Sequence, residues 1–144
     1  MKDNNDLKSY GWLLSKFYTL MVIFSDNKYI IDEFKKRIDK SKKILELGSG
    51  PGNDYGVLVQ DYDITGSDYS ETFLKILRKK FNNDRFLKIN ALTMETEKKY
   101  DVIYSNKVLQ HLTTENLATS FKKQYEVLNE GGILFHAMWK GKEF

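Results

Sequence analysis

The chain has 144 residues, of which 41% are hydrophobic, 30% charged and 14% aromatic. This excludes a disordered chain and predicts one domain around a single core, short for an enzyme that adds a large substrate cap. Lys and Arg outnumber Asp and Glu by only 23 to 20 and are scattered among acidic residues, so nucleic-acid binding is not indicated. Cysteine is absent, which excludes disulfides, thiolate zinc sites and cysteine nucleophiles.

In chain order, Lys2, Asp3, Asp6 and Lys8 interrupt any secretory leader. The apolar stretch from Trp12 to Phe24 carries Ser15, Lys16 and Thr19 and is too short to cross a bilayer comfortably; a cytoplasmic protein without membrane contact is expected. Within residues 7 to 39, Leu13, Leu14, Phe17, Leu20, Met21 and Phe24 fall at helical spacings, as do Ile30, Ile31, Phe34 and Ile38 after Ser25-Asp26-Asn27, predicting two amphipathic helices. From Lys43 the period changes. Ile44 to Leu47 reads as a buried strand, Gly48 to Gly52 as a turn, and the segment through Val57-Leu58-Val59 as a helix. A strand near Tyr62 to Ser67, a helix from Glu71 to Phe81 and a strand near Arg85 to Ile89 follow. A strand at Tyr100 to Ser105, a helix at Thr114 to Leu128 and a strand from Ile133 to Trp139 complete the pattern. Alternating strands and helices with short connections predict an α/β domain whose five strands form a mostly parallel sheet with helices on both faces.

The run Glu46-Leu47-Gly48-Ser49-Gly50-Pro51-Gly52 follows a strand and opens a helix, the setting a nucleotide-binding glycine loop requires. Glycines there allow positive φ and let a ligand approach bare backbone. A dinucleotide fingerprint would place its third glycine at Asn53, so an NAD-dependent oxidoreductase is disfavoured. Asp68 lies twenty residues after Gly48, at the end of the second strand, where a carboxylate can accept from ribose hydroxyls.

Glu46 to Gly52 resembles motif I of class I S-adenosylmethionine-dependent methyltransferases, and the resemblance extends from about Lys42 to Trp139. Its further elements are Gly66 to Ser70, Asn90-Ala91, Tyr100 to Leu112, and Leu128 to Leu134. The family implies a Rossmann-like sheet of strand order 3-2-1-4-5, preceded by N-terminal helices. It divides the chain into a helical cap segment, residues 1–41, and an S-adenosylmethionine-binding domain, residues 42–144. It assigns cofactor contacts to Glu46, Gly48, Ser49, Gly50, Gly52, Asp68, Tyr69, Asn90, Ala91, Ser105 and Asn106. Asp68 would hold the ribose, and Asn90, where the family has an acid, would accept from the adenine amino group with its amide oxygen. The backbone at Ser105 and Asn106 would receive the methionine amino group. His111 falls in the loop that would border the donor methyl group and is the one weak catalytic candidate.

Each assignment has a structural alternative. Glu46 at a strand end is often simply solvated, Asp68 could cap the helix that follows, although Ser70 already fills that place, and His111 could pack or cap. His136 sits in an apolar strand pattern and reads as structural. The resemblance implies methyl transfer from S-adenosylmethionine, with S-adenosylhomocysteine as product, to a small-molecule acceptor, and no metal. The alternative is a non-catalytic subunit or remnant that binds these two molecules. The family's last helix and antiparallel strands are not represented, which would leave Ile133 to Trp139 at a sheet edge and favour a homodimer covering it.

Overall fold

The computed structural model describes residues 27–138 and the backbone of Met21–Val22. In chain order the elements are β1 (Met21–Val22), α1 (Asn27–Arg37), β2 (Lys43–Leu47), α2 (Asn53–Leu58), β3 (Asp63–Asp68), α3 (Glu71–Lys80) and β4 (Leu87–Lys88). Next come β5 (Tyr100–Asn106), a 3-10 turn at Leu109–His111, α4 (Thr114–Val127) and β6 (Leu128–Ala137).

The sheet is parallel throughout, in the order β1-β6-β5-β2-β3-β4. Its last five strands reproduce the expected 3-2-1-4-5 arrangement, with β2 at the centre. Register follows from alternation. Ile44, Val102 and Phe135 belong to one apolar cluster, whereas their chain neighbours Leu45, Ile103 and Leu134 belong to the other, because successive residues of a strand point to opposite faces. On the first face lie Ile30, Ile31 and Phe34 of α1, Tyr55 and Leu58 of α2, and Leu74 and Leu77 of α3. Phe121 and Val127 of α4 lie on the second. Phe34, with no exposed surface, sits edge-on to Tyr62, Tyr104 and Phe135 at centroid distances of 5.3, 5.1 and 5.2 Å.

Helix starts are chemically explicit. Ser70 caps α3 by accepting from the Phe73 N–H at 3.3 Å, and Thr113 caps α4 by accepting from the Asn116 N–H at 3.1 Å. Arg78, Lys79 and Lys80 end α3, where cations oppose the helix dipole.

Three sequence expectations change. Met21, expected on a helix, is in a strand that pairs in parallel with β6, Met21 opposite His136 and Val22 opposite Ala137. The outer edge of β6 supplies backbone groups that need partners there. β6 also begins at Leu128, directly after α4, and Gly131 with φ 75° is accommodated within it. The strand expected at Arg85 to Ile89 contracts to Leu87–Lys88 at the sheet edge. Trp139 and the first expected helix before Met21 lie outside the described residues.

Candidate cofactor site

A cleft with about 470 Å³ of atom-free space opens at the carboxyl ends of β2 and β5, lined by Glu46, Gly48, Ser49, Gly50, Pro51, Asn53, Asp54, Asn106, Lys107 and Asn27. The chain order reverses between these strands, since β2 leads to β3 on one side while β5 lies on the other. Open parallel sheets bind ligands at such a switch point.

The loop after β2 is held by hydrogen bonds to β3. The Ser49 N–H donates to the Ser67 carbonyl at 2.7 Å, and the Ser67 N–H donates to Ser49 Oγ at 3.1 Å. Ser67 Oγ donates to the Glu46 carbonyl at 2.6 Å. Gly50 N–H donates to Asp68 Oδ2 at 2.9 Å, while Asp68 Oδ1 accepts from the Ser70 N–H at 2.9 Å. Asp68 therefore ties the glycine loop to the start of α3. Each of its oxygens retains a lone pair for a further donor. Gly48 (φ 62°) and Gly50 (φ 55°) both occupy the left-handed region, for different ends. A Cβ on Gly48 would run into Val108, whereas one on Gly50 would meet nothing within 4 Å and would project into open space. Gly52 faces Phe81 and Leu77, so its missing side chain serves the packing of α2 against α3.

Carboxylates dominate the cleft. Glu46 is 3% exposed and accepts from Ser49 Oγ at 2.5 Å. Burial pushes its pKa up to about 8 against the Ser49 hydrogen bond, with the nearby Asp54 and Asp68 charges adding to the rise. Asp54, on the first turn of α2, accepts from Tyr104 Oη at 2.8 Å and Asn106 Nδ2 at 2.9 Å. Burial, and then the Asp54 carboxylate, push the Tyr104 phenol far above its ordinary value, so it serves as a permanent donor. Asn106 Nδ2 also donates to Asn27 Oδ1 at 3.2 Å, as does Lys107 Nζ at 3.1 Å. With its amide nitrogen fixed by two acceptors, Asn106 Oδ1 is left buried without a partner among the described residues.

The other residues expected from the sequence surround this cleft unequally. Tyr69, 62% exposed, flanks Asp68 with Lys88 Nζ 5.3 Å from its ring centroid. Asn90 and Ala91 form the turn after β4, next to the end of β3, where Ile89 N–H donates to the Asp68 carbonyl at 3.3 Å. Asn90 Oδ1 accepts from the Leu92 N–H at 2.8 Å, which leaves one lone pair. The Ser105 side chain is fully buried and turns from the cleft to His136 Nδ1, at 2.6 Å. His111 is exposed on the 3-10 turn and is not among the residues lining the cleft. Sequence reasoning missed Asp54, Tyr104 and Lys107. A carboxylate two residues past Gly52 was the available signal, hidden because acids are ordinary in a first helical turn. No group of three or more His, Cys, Asp or Glu among the described residues could hold a metal ion.

S-adenosylmethionine offers an ammonium and a sulfonium to be matched by acceptors, and vicinal hydroxyls to be matched by a carboxylate. The residues present fit it. Glu46, Asp54 and the orphaned Asn106 Oδ1 can meet cations, Asp68 can meet hydroxyls, and the bare Gly50 backbone provides the cradle that a Cβ would fill.

Comparisons with known proteins agree. A trans-aconitate 2-methyltransferase of Methylobacterium radiotolerans is 30% identical over 100 residues, covering 67% of this chain and 38% of that relative. One of Agrobacterium fabrum is 32% identical over 92 residues, covering 62% of this chain and 35% of the relative. The chain thus spans well under half of these curated relatives. Among solved structures, DesVI of Streptomyces venezuelae superposes with TM-score 0.71 at 20% identity, over 99% of this chain and 60% of that one. The sugar N-methyltransferase KedS8 of a Streptoalloteichus species does so at 0.70 and 16% identity, over 100% and 57%. At these identities the likeness concerns fold alone. The family match, to the methyltransferase domain, runs over residues 44–132, from the first core residue of β2 to the glycines inside β6, and the chain belongs to that family of S-adenosylmethionine-dependent methyltransferase domains.

Proposed function

We propose that the cleft holds S-adenosylmethionine and that the chain transfers its methyl group to a small-molecule acceptor. The observation carrying this reading is the switch-point cleft in which the bare Gly50 backbone, fastened to Asp68, lies with Glu46, Asp54 and an Asn106 whose buried Oδ1 has no donor among the described residues. In this reading Asp68 takes the ribose hydroxyls with its free lone pairs, and Glu46, Asp54 and Asn106 surround the methionine ammonium. Gly48, Ser49 and Gly50 present backbone to the ligand, while Asn90 and Ala91 border the adenine with Tyr69 beside it. Ser105 and Gly52 act by holding the walls, and His111 is left without a role in binding.

When bound, S-adenosylmethionine would supply an electrophilic sulfonium methyl, whose carbon forms a bond to an acceptor N, O, S or C as its C–S bond breaks, giving the methylated acceptor and S-adenosylhomocysteine, with any proton on the acceptor atom passing to solvent. The protein's own contribution is alignment, which at best lowers a barrier by roughly 7 to 11 kcal/mol. The names of relatives, trans-aconitate and sugar methyltransferases, support a small acceptor. We further propose residues 42–144 as the cofactor-binding unit and residues 1–41 as its cap. β1 pairs with β6 only opposite His136 and Ala137, so self-association along the rest of that edge is part of the proposal, with sedimentation as its check.

The test is calorimetric titration with S-adenosylmethionine, S-adenosylhomocysteine and NAD, using Asp68→Ala as control, followed by mass spectrometry on a panel of candidate acceptors. Saturable binding of the first two that collapses in the variant is expected. Binding of NAD alone, or of none, would overturn the reading.

A further inference from the structure

One chain of polar side chains runs through the apolar interior. Ser105 Oγ lies 2.6 Å from His136 Nδ1, His136 Nε2 lies 2.6 Å from Gln124 Oε1, and Gln124 Nε2 lies 2.9 Å from Ser120 Oγ. Ser120 Oγ in turn bonds the carbonyl oxygen of Ala91. All four side chains have no exposed surface, and the Phe121 ring packs 5.8 Å from the imidazole.

The direction of every bond follows from one end. A backbone carbonyl only accepts, so the single Ser120 proton must point at Ala91. Ser120 Oγ must then accept from Gln124 Nε2, which turns Gln124 Oε1 toward His136 and requires a proton on His136 Nε2. Nδ1 is left as an acceptor, and Ser105 is its donor. Reversing one link leaves a buried group unpaired. Burial pushes the His136 pKa down to about 3, so the neutral ring that the chain needs is the one present at physiological pH.

The two ends of this chain belong to different sides of the proposed site. Ala91 is in the turn after β4, and Ser105 immediately precedes Asn106, which lines the cleft at the end of β5. Between them the path crosses from β5 to β6 and into α4. We propose that His136, as its Nε2–H tautomer, is a positioning residue that fixes the Asn90–Ala91 turn and the Ser105–Asn106 strand end relative to one another. This rests on reading the cleft as the S-adenosylmethionine site. In that reading both segments meet the ligand, and the ring, with no exposed surface, couples them from behind.

The experiment combines ring nitrogen NMR of the full chain with calorimetric titration of S-adenosylhomocysteine into wild type and His136→Phe, and into Ser105→Ala, Ser120→Ala and the double serine variant made in each of these two backgrounds. The ring signals should report the Nε2–H tautomer throughout pH 5 to 9. His136→Phe removes both hydrogen bonds of the ring, and binding should weaken by at least about tenfold. The two serine substitutions should be non-additive in wild type and additive in the His136→Phe background. A purely structural histidine predicts additivity in both backgrounds, and that result, or an Nδ1–H tautomer, would overturn the proposal. Should His136→Phe not fold, Ser120→Ala alone decides: the Asn106 amide resonance must shift although the two residues do not touch, and an unmoved resonance sinks the idea. If wild type fails to bind while this shift appears, the cleft reading fails and the coupling stands.

Discussion

Glu46 allows a prediction in which folding and binding can be read from one substitution. Its carboxyl is raised from 4.5 to about 8, chiefly because burial penalises the charged form. Between these limits the folded state holds a proton that the unfolded chain releases. The contribution of Glu46 to stability is therefore fully present below pH 4.5, falls as pH rises toward 8 and is flat beyond. At about 1.36 kcal/mol per pH unit the window amounts to roughly 5 kcal/mol. Glu46→Gln keeps an acceptor for Ser49 Oγ and removes the titration, so the variant should match wild type in urea unfolding at pH 5 and exceed it by a few kcal/mol at pH 9. Ligand changes the balance. An ammonium beside Glu46 favours the carboxylate, so binding of S-adenosylhomocysteine near pH 7 should release close to one proton in wild type and almost none in the variant. Calorimetry in buffers of different ionisation enthalpy counts that proton. A stability difference between wild type and Glu46→Gln that stays constant from pH 5 to 9 would refute the reasoning.

The glycine loop separates strain from ligand access: Gly50→Ala should cost about 1 kcal/mol for its left-handed backbone yet abolish measurable ligand binding, because the new methyl enters the open cleft. Gly48→Ala adds a collision with Val108 and should destabilise by about 2–4 kcal/mol in urea unfolding. Phe34→Ala removes the ring around which Tyr62, Tyr104 and Phe135 are arranged and should lower unfolding free energy by about 3–5 kcal/mol. Asp101 is held below its usual range by the Lys43 N–H and the Asn129 amide. Its stabilisation is present above pH 3.8 and lost as pH falls further, so Asp101→Asn should flatten the acid limb of the stability profile.

The centre of the fold was legible because strands buried on both faces announce themselves. Ile44 to Leu47 and Tyr100 to Ser105 are short apolar runs bounded by turn chemistry, and each became a central strand. The edges were less so. Met21 and Val22 lie in the run Met21-Val22-Ile23-Phe24, whose apolar residues suit a helix face or a strand equally well. What decides their state is the unpaired edge of β6, more than a hundred residues away. Gly131-Gly132 reads locally as a turn, yet β6 runs through it with an irregular register between Tyr100 and Val102 on its partner. Of the candidate site residues, those whose geometry is set by nearby backbone, Gly48, Gly50 and Asp68, stand out in the sequence as a glycine turn and a strand-end acid. Those defined by tertiary partners do not: Asp54 meets Tyr104 and Asn106 across 50 and 52 residues, and His136 meets Ser105 across 31. No periodicity carries that information.

Glu46 and Asp54 line the cleft and Asp68 fastens its glycine loop, and the fold partners the three carboxylates differently. Asp68 accepts from two backbone N–H donors, and Asp54 from a phenol and an amide. Among the described residues Glu46 has a single hydroxyl donor and far deeper burial, and that burial, with the Asp54 and Asp68 charges adding to it, raises its pKa to about 8. In the proposed reading, this carboxyl gives up its proton to solvent when the ammonium of the ligand arrives beside it. Supplying a second donor to Glu46 should stabilise the charged form and so reduce the proton release on binding, which makes its hydrogen-bond count the point at which stability and the proposed recognition are traded.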